Sequence, residues 1–413
     1  MIAEKVEPAS ETPGGGRRIV LALQTTDVGG MESFCIDLAA EYTRRGMQVT
    51  ALVPEPAPFD VVEQRFRTAG ADVIRLDTNE RGGRRAQAGR WLRVVRALRA
   101  LHPDVVHVHV AGGTGGVATV ATARLATRAT VILSEHDVPP EHPSLRQRIT
   151  GRIIDRAAHA TVAVSRRNGR LRSARTSARA ATFASVLNGV PIIDFPAAER
   201  SANRERIRAE LSISPDALVV GCVVRLVQGK GLDDLLSAFA EVQAARACEL
   251  VLVGDGPMRP ELESMAARLG IGDRVHFAGR LAHPAPYFDA MDVFVLAVPA
   301  GSMSIALLEA MARGLPPIIT FCGPEEAVIN EESGLCAPPN DPHGLANVMK
   351  RMVEDDALRE RLSAAAAAHV RRHFSIARVA DNMLAIYDSA RLGKVPAALR
   401  TDAPTNPRPG DIG

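Results

Sequence analysis

Two cations define the chemistry this sequence is equipped for. Arg225 closes an apolar run, Leu218 to Leu226, and Lys230 follows between Gly229 and Gly231, directly before a helical pattern. Two cations at the carboxyl end of a strand, beside a helix N-terminus, suit a diphosphate. The plainer reading is surface cations capping a turn. The spacing is not Gly-x-x-x-x-Gly-Lys-Ser/Thr, which excludes a P-loop. Glu309 lies mid-helix in Leu307-Leu308-Glu309-Ala310-Met311. A carboxylate in such apolar company either faces solvent or needs a partner, for example the hydroxyls of a sugar. His136, in Ser134-Glu135-His136-Asp137, ends another strand, where it can donate to a ligand oxygen or serve structure alone. Val28-Gly29-Gly30-Met31-Glu32 is a two-glycine loop opening a helix. Such a loop lets backbone amides approach an anion, and it is also an ordinary turn. It lacks Gly-x-Gly-x-x-Gly, which disfavours a nicotinamide cofactor. Turn chemistry alone accounts for Gly254-Asp255-Gly256-Pro257 and Asn188-Gly189-Val190.

Alternating strands and helices must position these residues. Around Glu309 the pattern is strand Val293–Ala297, a turn from Pro299 to Ser302, helix Ser304–Arg313 and strand Pro317–Thr320. A strand-loop-helix-strand unit makes a parallel sheet whose ligands gather at the carboxyl ends of its strands. An earlier series predicts strands at Arg18–Gln24, Gln48–Val53, Asp72–Leu76, Asp104–Val110, Thr130–Ser134, Ala160–Val164 and Ala184–Leu187, with a helix over Met31–Arg45. The later series predicts strands at Leu218–Leu226, Glu249–Val253 and Arg274–Ala278. Its helices are expected near Leu232–Ala245, Arg259–Leu269, Glu325–Asn330 and Pro342–Glu354, followed by Ala357–Arg372 and Ile376–Arg391. The charged stretch Ala197 to Leu211 separates the two series. Two doubly wound sheets imply an inter-domain cleft, a favoured place for a small-molecule site.

At 413 residues the chain accommodates two cores, and its net charge of +3 gives no general polyanion binder. Cys35, Cys222, Cys248, Cys322 and Cys336 have no metal-like spacing and read as reduced thiols. Without an apolar leader or a run of ~20 apolar residues, a cytoplasmic protein is expected, with peripheral attachment to the inner face of a membrane left open.

Taken together the segments resemble family 4 glycosyltransferases, retaining enzymes of GT-B architecture. The resemblance rests on Gly29-Gly30-Met31-Glu32, Asp104-Val-Val-His107-Val-His109, Asn188-Gly189-Val190, Arg225-Leu226 with Lys230-Gly231, Gly254-Asp255-Gly256-Pro257, Phe277-Ala278-Gly279 and Leu308-Glu309-Ala310-Met311-Ala312 with Gly314, in order. It implies an α/β fold of two doubly wound, Rossmann-like domains facing a cleft. Residues 17–196 would bind acceptor and 197–375 the nucleotide sugar, while 376–393 would form a helix crossing back; 1–16 and 394–413 are expected to be disordered. The implied reaction moves a sugar from a UDP- or GDP-sugar to a hydroxyl acceptor without metal or other cofactor. By match, Arg225 and Lys230 would hold the diphosphate, Glu309 the donor ribose and His136 the donor sugar. Gly29 and Gly30 would admit acceptor and diphosphate, and Gly279 and Arg280 would face the base. Ser302, Met303 and Ser304 complete the expected donor site.

One departure stands out. The family's Glu-x7-Glu pattern ends at Glu309 but begins here at Gly301. Either donor handling is shifted, with backbone amides or Ser302 and Ser304 compensating, or catalysis is weakened and the protein acts as a binding or scaffold partner. Arginine is unevenly distributed: seven lie between Arg81 and Arg99, and residues 156–193 contain Arg166, Arg167, Arg170, Arg172, Arg175 and Arg179 without one Asp or Glu. Such patches suit an anionic, lipid-linked acceptor or an anionic membrane surface, or are simply solvated. A nucleic-acid partner is disfavoured because interleaved aromatics are lacking.

Overall fold

The computed structural model describes residues 16–25, 27–55, 59–76, 84–111, 116–138, 144–173, 182–245, 247–281, 283–299, 301, 303–320 and 327–401. Ser302, Arg175, Arg179 and most of the lead and tail fall outside these residues. The first sheet contains β1 (Arg18–Gln24), β2 (Gln48–Val53), β3 (Asp72–Arg75), β4 (Val105–Val110), β5 (Thr130–Glu135), β6 (Ala160–Ala163) and β7 (Phe183–Ser185). Its order is β3-β2-β1-β4-β5-β6-β7, and every pairing is parallel. Helices α1 (Gly30–Arg44) and α2 (Asp60–Thr68) cover one face; α3 (Arg84–Leu101), α4 (Val117–Ala126) and α5 (Leu145–Ala157) cover the other. Strands such as β4 are buried along their whole length, as parallel strands covered on both faces must be. Helix α6 (Arg166–Ser173) joins β6 to β7.

Helix α7 (Ala197–Glu210) opens the second half. The charged stretch is therefore an element with packing of its own, because Arg208 is buried and bonds the carbonyls of Ala290, Pro215 and Ala217 and the carboxylate of Asp292. The second sheet consists of β8 (Leu218–Val223), β9 (Cys248–Val253), β10 (Val275–Gly279), β11 (Val293–Leu296), β12 (Pro317–Thr320) and β13 (Leu335–Ala337). Its order is β10-β9-β8-β11-β12-β13, again parallel throughout. Helices α8 (Leu232–Ala245), α9 (Arg259–Arg268), α10 (Ala285–Ala290), α11 (Ile305–Ala312), α12 (Pro342–Glu354) and α13 (Asp356–His373) surround it.

Three expectations are corrected. The helix expected at Glu325–Asn330 is absent where residues are described: 327–330 form a turn ending in a bridge from Asn330 to Gly334. Strand β13 was not anticipated, since three residues are too few to show a period. Part of the expected disordered tail is ordered. Val395 is buried, Arg400 bridges Ala184, and the Thr401 hydroxyl lies 3.3 Å from that of Ser185, so this segment closes the β7 edge.

The chain crosses between the halves twice, and the crossings pair. The Val190 amide donates to Phe374 O at 2.9 Å and the Ile376 amide to Val190 O at 2.9 Å. Gly189 permits this approach, because a Cβ there would lie 2.8 Å from Phe374 O. Asn188-Gly189-Val190, whose residues suggested a turn, is instead an irregular stretch ending in the bridge that joins the two crossings. Beyond it α14 (Ile376–Ala390) returns to the first half and lies along α1, with Arg45–Asp381 and Arg17–Asp388 pairs at 2.6 Å each.

Candidate active site

Arg225 stands just past β8, at the carboxyl end of the second sheet. Its Nη1 reaches Asp27 Oδ2 of the first half at 3.1 Å, so this pair spans the cleft. Lys230 is held between Gly229 and Gly231, both with positive φ. A Cβ at Gly231 would lie 2.0 Å from Ala297 O, so glycine is what brings the start of α8 against the end of β11. Burial lowers the Lys230 pKa, the Arg225 charge lowers it further, and Asp137 beside His136 opposes both. The two cations thus share one side of the cleft at the strand ends, where an anion would favour both charged forms.

The facing wall is neutral and hydrogen-bonded from within. His136 Nε2 lies 3.1 Å from His109 Nδ1, and Phe34 sets its edge against both rings. His107 stacks on His109 with centroids 3.9 Å apart. His107 Nδ1 meets Tyr387 Oη at 2.8 Å and its Nε2 meets Ser134 Oγ at 2.7 Å, while Tyr42 donates to Tyr387 at 3.0 Å. Tyr387 accepts from Tyr42, which leaves its proton for His107 Nδ1, and His107 then donates to Ser134. His109 Nε2 is buried without a partner. Orphaned N–H groups are rarer than orphaned acceptors, which places the His109 proton on Nδ1, donated to His136. Burial holds His136 and His107 down to about 3, and His109 well below its ordinary value, so all three rings are neutral near pH 7. Sequence reading gave a site role to His136 alone, and quoted His107 and His109 only within the segment Asp104-Val-Val-His107-Val-His109. The Val105–Val110 alternation puts His107 and His109 on one strand face, but the Tyr387 contact is invisible in sequence.

Helix α1 is the floor common to both walls. Gly29 donates its amide to Glu32 Oε2 at 2.6 Å, so the amide is occupied from within. Space remains at Gly29, where a Cβ would meet only Glu32 Oε2 at 3.9 Å. Gly30 faces Ile305 of α11, with 3.4 Å from a built Cβ to Ile305 Cγ1. Glu32, which sequence reading passed over, is buried; its pKa is raised first by burial, while Gly29, Thr25 and Arg225 pull it down. Its Oε1 has no partner.

Glu309, on α11, is influenced by a different set of charges from the cation pair. Burial and then Asp37 push it up to about 7, opposed by Arg65 and Arg313; Asp37 is likewise pushed up to about 7 by burial. Five residues separate Glu32 from Asp37, about 7 Å along a helix axis. Met303 is buried, and its carbonyl accepts from Asn188 Nδ2 at 3.0 Å. Ser304 caps α11, its Oγ accepting the Leu307 amide at 3.3 Å. Gly279 ends β10, its carbonyl accepting from Gly254 at 2.9 Å, and Arg280 beyond it is exposed. A Cβ at Gly301 would lie 3.3 Å from Val298 Cγ1, a contact requiring only slight adjustment. Among the described residues no group of three His, Cys, Asp or Glu side chains could hold a metal.

Two parallel α/β halves that meet at strand ends, with a terminal helix returning to the first, define the GT-B architecture. Anabaena HepE in complex with UDP shares this fold at TM-score 0.74 and 22% identity, over 90% of this chain and 100% of that one. A profile described as Glycosyltransferase Family 4 matches residues 28–189, and one described as Glycosyl transferases group 1 matches residues 217–355. A D-inositol 3-phosphate glycosyltransferase of Actinosynnema mirum is 30% identical over 408 residues, 89% of this chain and 94% of the relative. The chain belongs to the family 4 glycosyltransferases. The lipopolysaccharide core biosynthesis glycosyltransferase LpsD of Rhizobium meliloti is 35% identical over 182 residues, 44% of this chain. This match spans about half the relative's length, 52%.

Proposed function

We propose that the protein transfers a sugar from a UDP- or GDP-sugar to a hydroxyl acceptor, on a glycan, a lipid-linked carrier or a small molecule, with retention of anomeric configuration. The observation that carries this reading is the pair of cations at the carboxyl end of β8, with Arg225 reaching across the cleft to Asp27 and Lys230 half-buried after it, facing a neutral histidine wall. The cations take the diphosphate and stabilise the charge that grows on it as the anomeric carbon–oxygen bond breaks. Asp27 would yield Arg225 to the donor. Neutral His136 hydrogen-bonds the donor sugar. Glu309 takes the ribose hydroxyls as hydrogen-bond donors to its carboxylate. The acceptor oxygen attacks the face the diphosphate leaves, and a leaving phosphate oxygen takes its proton, so neither a protein nucleophile nor a metal enters the step. We place the protein in the cytoplasm, where nucleotide sugars serve as donors; no described helix is long and apolar enough to cross a membrane.

HepE structures hold UDP and UDP-glucose, which makes UDP-sugars the first donors to screen. The test is a thermal-shift series with UDP- and GDP-sugars on wild type and on the Arg225→Ala/Lys230→Ala double variant. Stabilisation by one nucleotide class, lost in the double variant, is expected. Equal stabilisation of both proteins overturns the reading. A binding or scaffold role is the second reading, favoured by Gly301. Nucleotide binding with neither transfer nor donor hydrolysis would establish it.

A further inference from the structure

The helical layer on the outer face of the first sheet carries a charge and apolar pattern that glycosyl transfer alone does not use. On α5, Leu145, Ile149 and Ile153 are 73%, 50% and 44% exposed and recur every fourth residue, forming one stripe. Arg148, Arg152 and Arg156 repeat at the same interval beside it, all exposed. The neighbouring helices continue the pattern. Leu125 of α4 is 79% exposed next to exposed Arg124; Trp91 and Leu92 of α3 are 40% and 54% exposed beside exposed Arg93, Arg96 and Arg99. Acidic residues are almost absent from these three helices among the described residues. Helices α3 and α4 contain none, and α5 contains Asp155 alone, 5% exposed and paired with Arg172 at 3.1 Å. Glu55, from the loop after β2, reaches Arg93 at 3.9 Å.

We infer that the α3–α4–α5 face docks on an anionic lipid bilayer, and that the acceptor is a molecule anchored in that bilayer. Exposed leucine and isoleucine leave water when they enter the headgroup boundary, and flanking guanidinium groups pair with lipid phosphates. A nucleic acid would use the arginines and leave the aliphatic stripe in water, which favours lipid. The location gives the docking its purpose. Helix α5 begins nine residues after His136, on the side of the sheet where the parallel strands end and the cleft opens. Docking through α5 holds the first half of the cleft against the lipid surface, where a membrane-anchored hydroxyl reaches the donor. This deepens the glycosyltransferase reading and, for the acceptor, rests on it.

The experiment is vesicle flotation of the full chain with phosphatidylcholine alone and with phosphatidylcholine containing phosphatidylglycerol. Flotation is expected only with the anionic vesicles, weakening as salt is raised. Leu145→Gln/Ile149→Gln/Ile153→Gln and Arg148→Gln/Arg152→Gln/Arg156→Gln should each lower vesicle affinity at least roughly tenfold. Both variants should keep the wild-type thermal shift with the donor nucleotide, which shows that they fold and that the donor site is intact. Equal flotation on neutral vesicles, no flotation of wild type, or undiminished flotation of both variants overturns the docking. Binding to an oligonucleotide that depends on the arginines but not on the aliphatic stripe, without flotation, also overturns it and assigns the face to nucleic acid. Loss of donor binding in the Arg225→Ala/Lys230→Ala variant is a separate result that bears on the donor site alone.

Discussion

The two walls of the cleft solve opposite electrostatic problems. On the first half, three histidines, two tyrosines and a serine bond mostly to one another and remain neutral. On the second half, Arg225 and Lys230 stand at the strand ends, with Asp27, Asp137 and Glu32 of the first half as countercharges. One wall is complete before substrate arrives; the other carries charge that an anion would meet. On the reaction we propose, the charged wall would grip the leaving diphosphate and the neutral wall would leave its sugar unprotonated.

The largest break in this contrast is Arg225→Ala/Lys230→Ala. Each cation offers charge-assisted bonds that strengthen as charge develops, so we expect kcat/KM to fall at least ~10³-fold in a donor-consumption assay. Retention of more than a tenth of wild-type activity would place the diphosphate elsewhere. Next is His136→Ala, expected to lower kcat by about 10²-fold. The pH profile tests the same wall more sharply. A histidine held at about 3 contributes no limb between pH 5 and 8, so a limb near 6.5 that vanished in this variant would contradict the neutral wall.

Tyr387→Phe acts at a distance. It leaves His107 Nδ1 and the Tyr42 hydroxyl buried without the partner they now have, a cost of roughly 1–3 kcal/mol in urea unfolding. The accompanying loss of kcat should be several-fold, with the nucleotide KM unchanged. A KM rise equal to the kcat loss would show that α14 matters only to the shape of the cleft. The Asp37–Glu309 pair tests the second contact with α1. Both carboxyls lie above their ordinary values. The stability they contribute is complete below the ordinary carboxylate range and is lost as pH rises through about 7. Asp37→Asn should flatten melting temperature against pH between 5 and 8; a curve parallel to wild type would remove the pair from the account. The smallest effect belongs to Gly301→Glu, whose backbone and space allow the side chain. It should reorder preference among donor sugars. A uniform rise in turnover with every donor would mean that the wild type is a weakened catalyst.

Much of this architecture is legible in local chemistry. The boundaries of β1, β2, β12, α8 and α12 follow directly from apolar runs and the turn residues that stop them. Arg225 and Lys230 could be recognised because glycines and a strand end announce a backbone built to approach something closely. Glu32 escaped notice because a glutamate in the first turn of a helix looks like an ordinary cap, and only burial makes it more than that. The segment from Val395 to Thr401 escaped because it opens a tail that is proline-rich as a whole, and its partner, the edge of β7, lies more than two hundred residues away.

Sequence by itself therefore determined the alternation of strand and helix, the cationic pair and the family, because each is written within a few consecutive residues. Only the tertiary structure decided that Tyr387 completes a histidine network on the opposite half, that the charge of Asp37 reaches Glu309, and that one helical layer shows arginine and leucine to the outside while its own carboxylate, Asp155, is turned inward to Arg172. Those facts depend on which surfaces meet and which remain uncovered, and packing settles that between segments far apart along the chain.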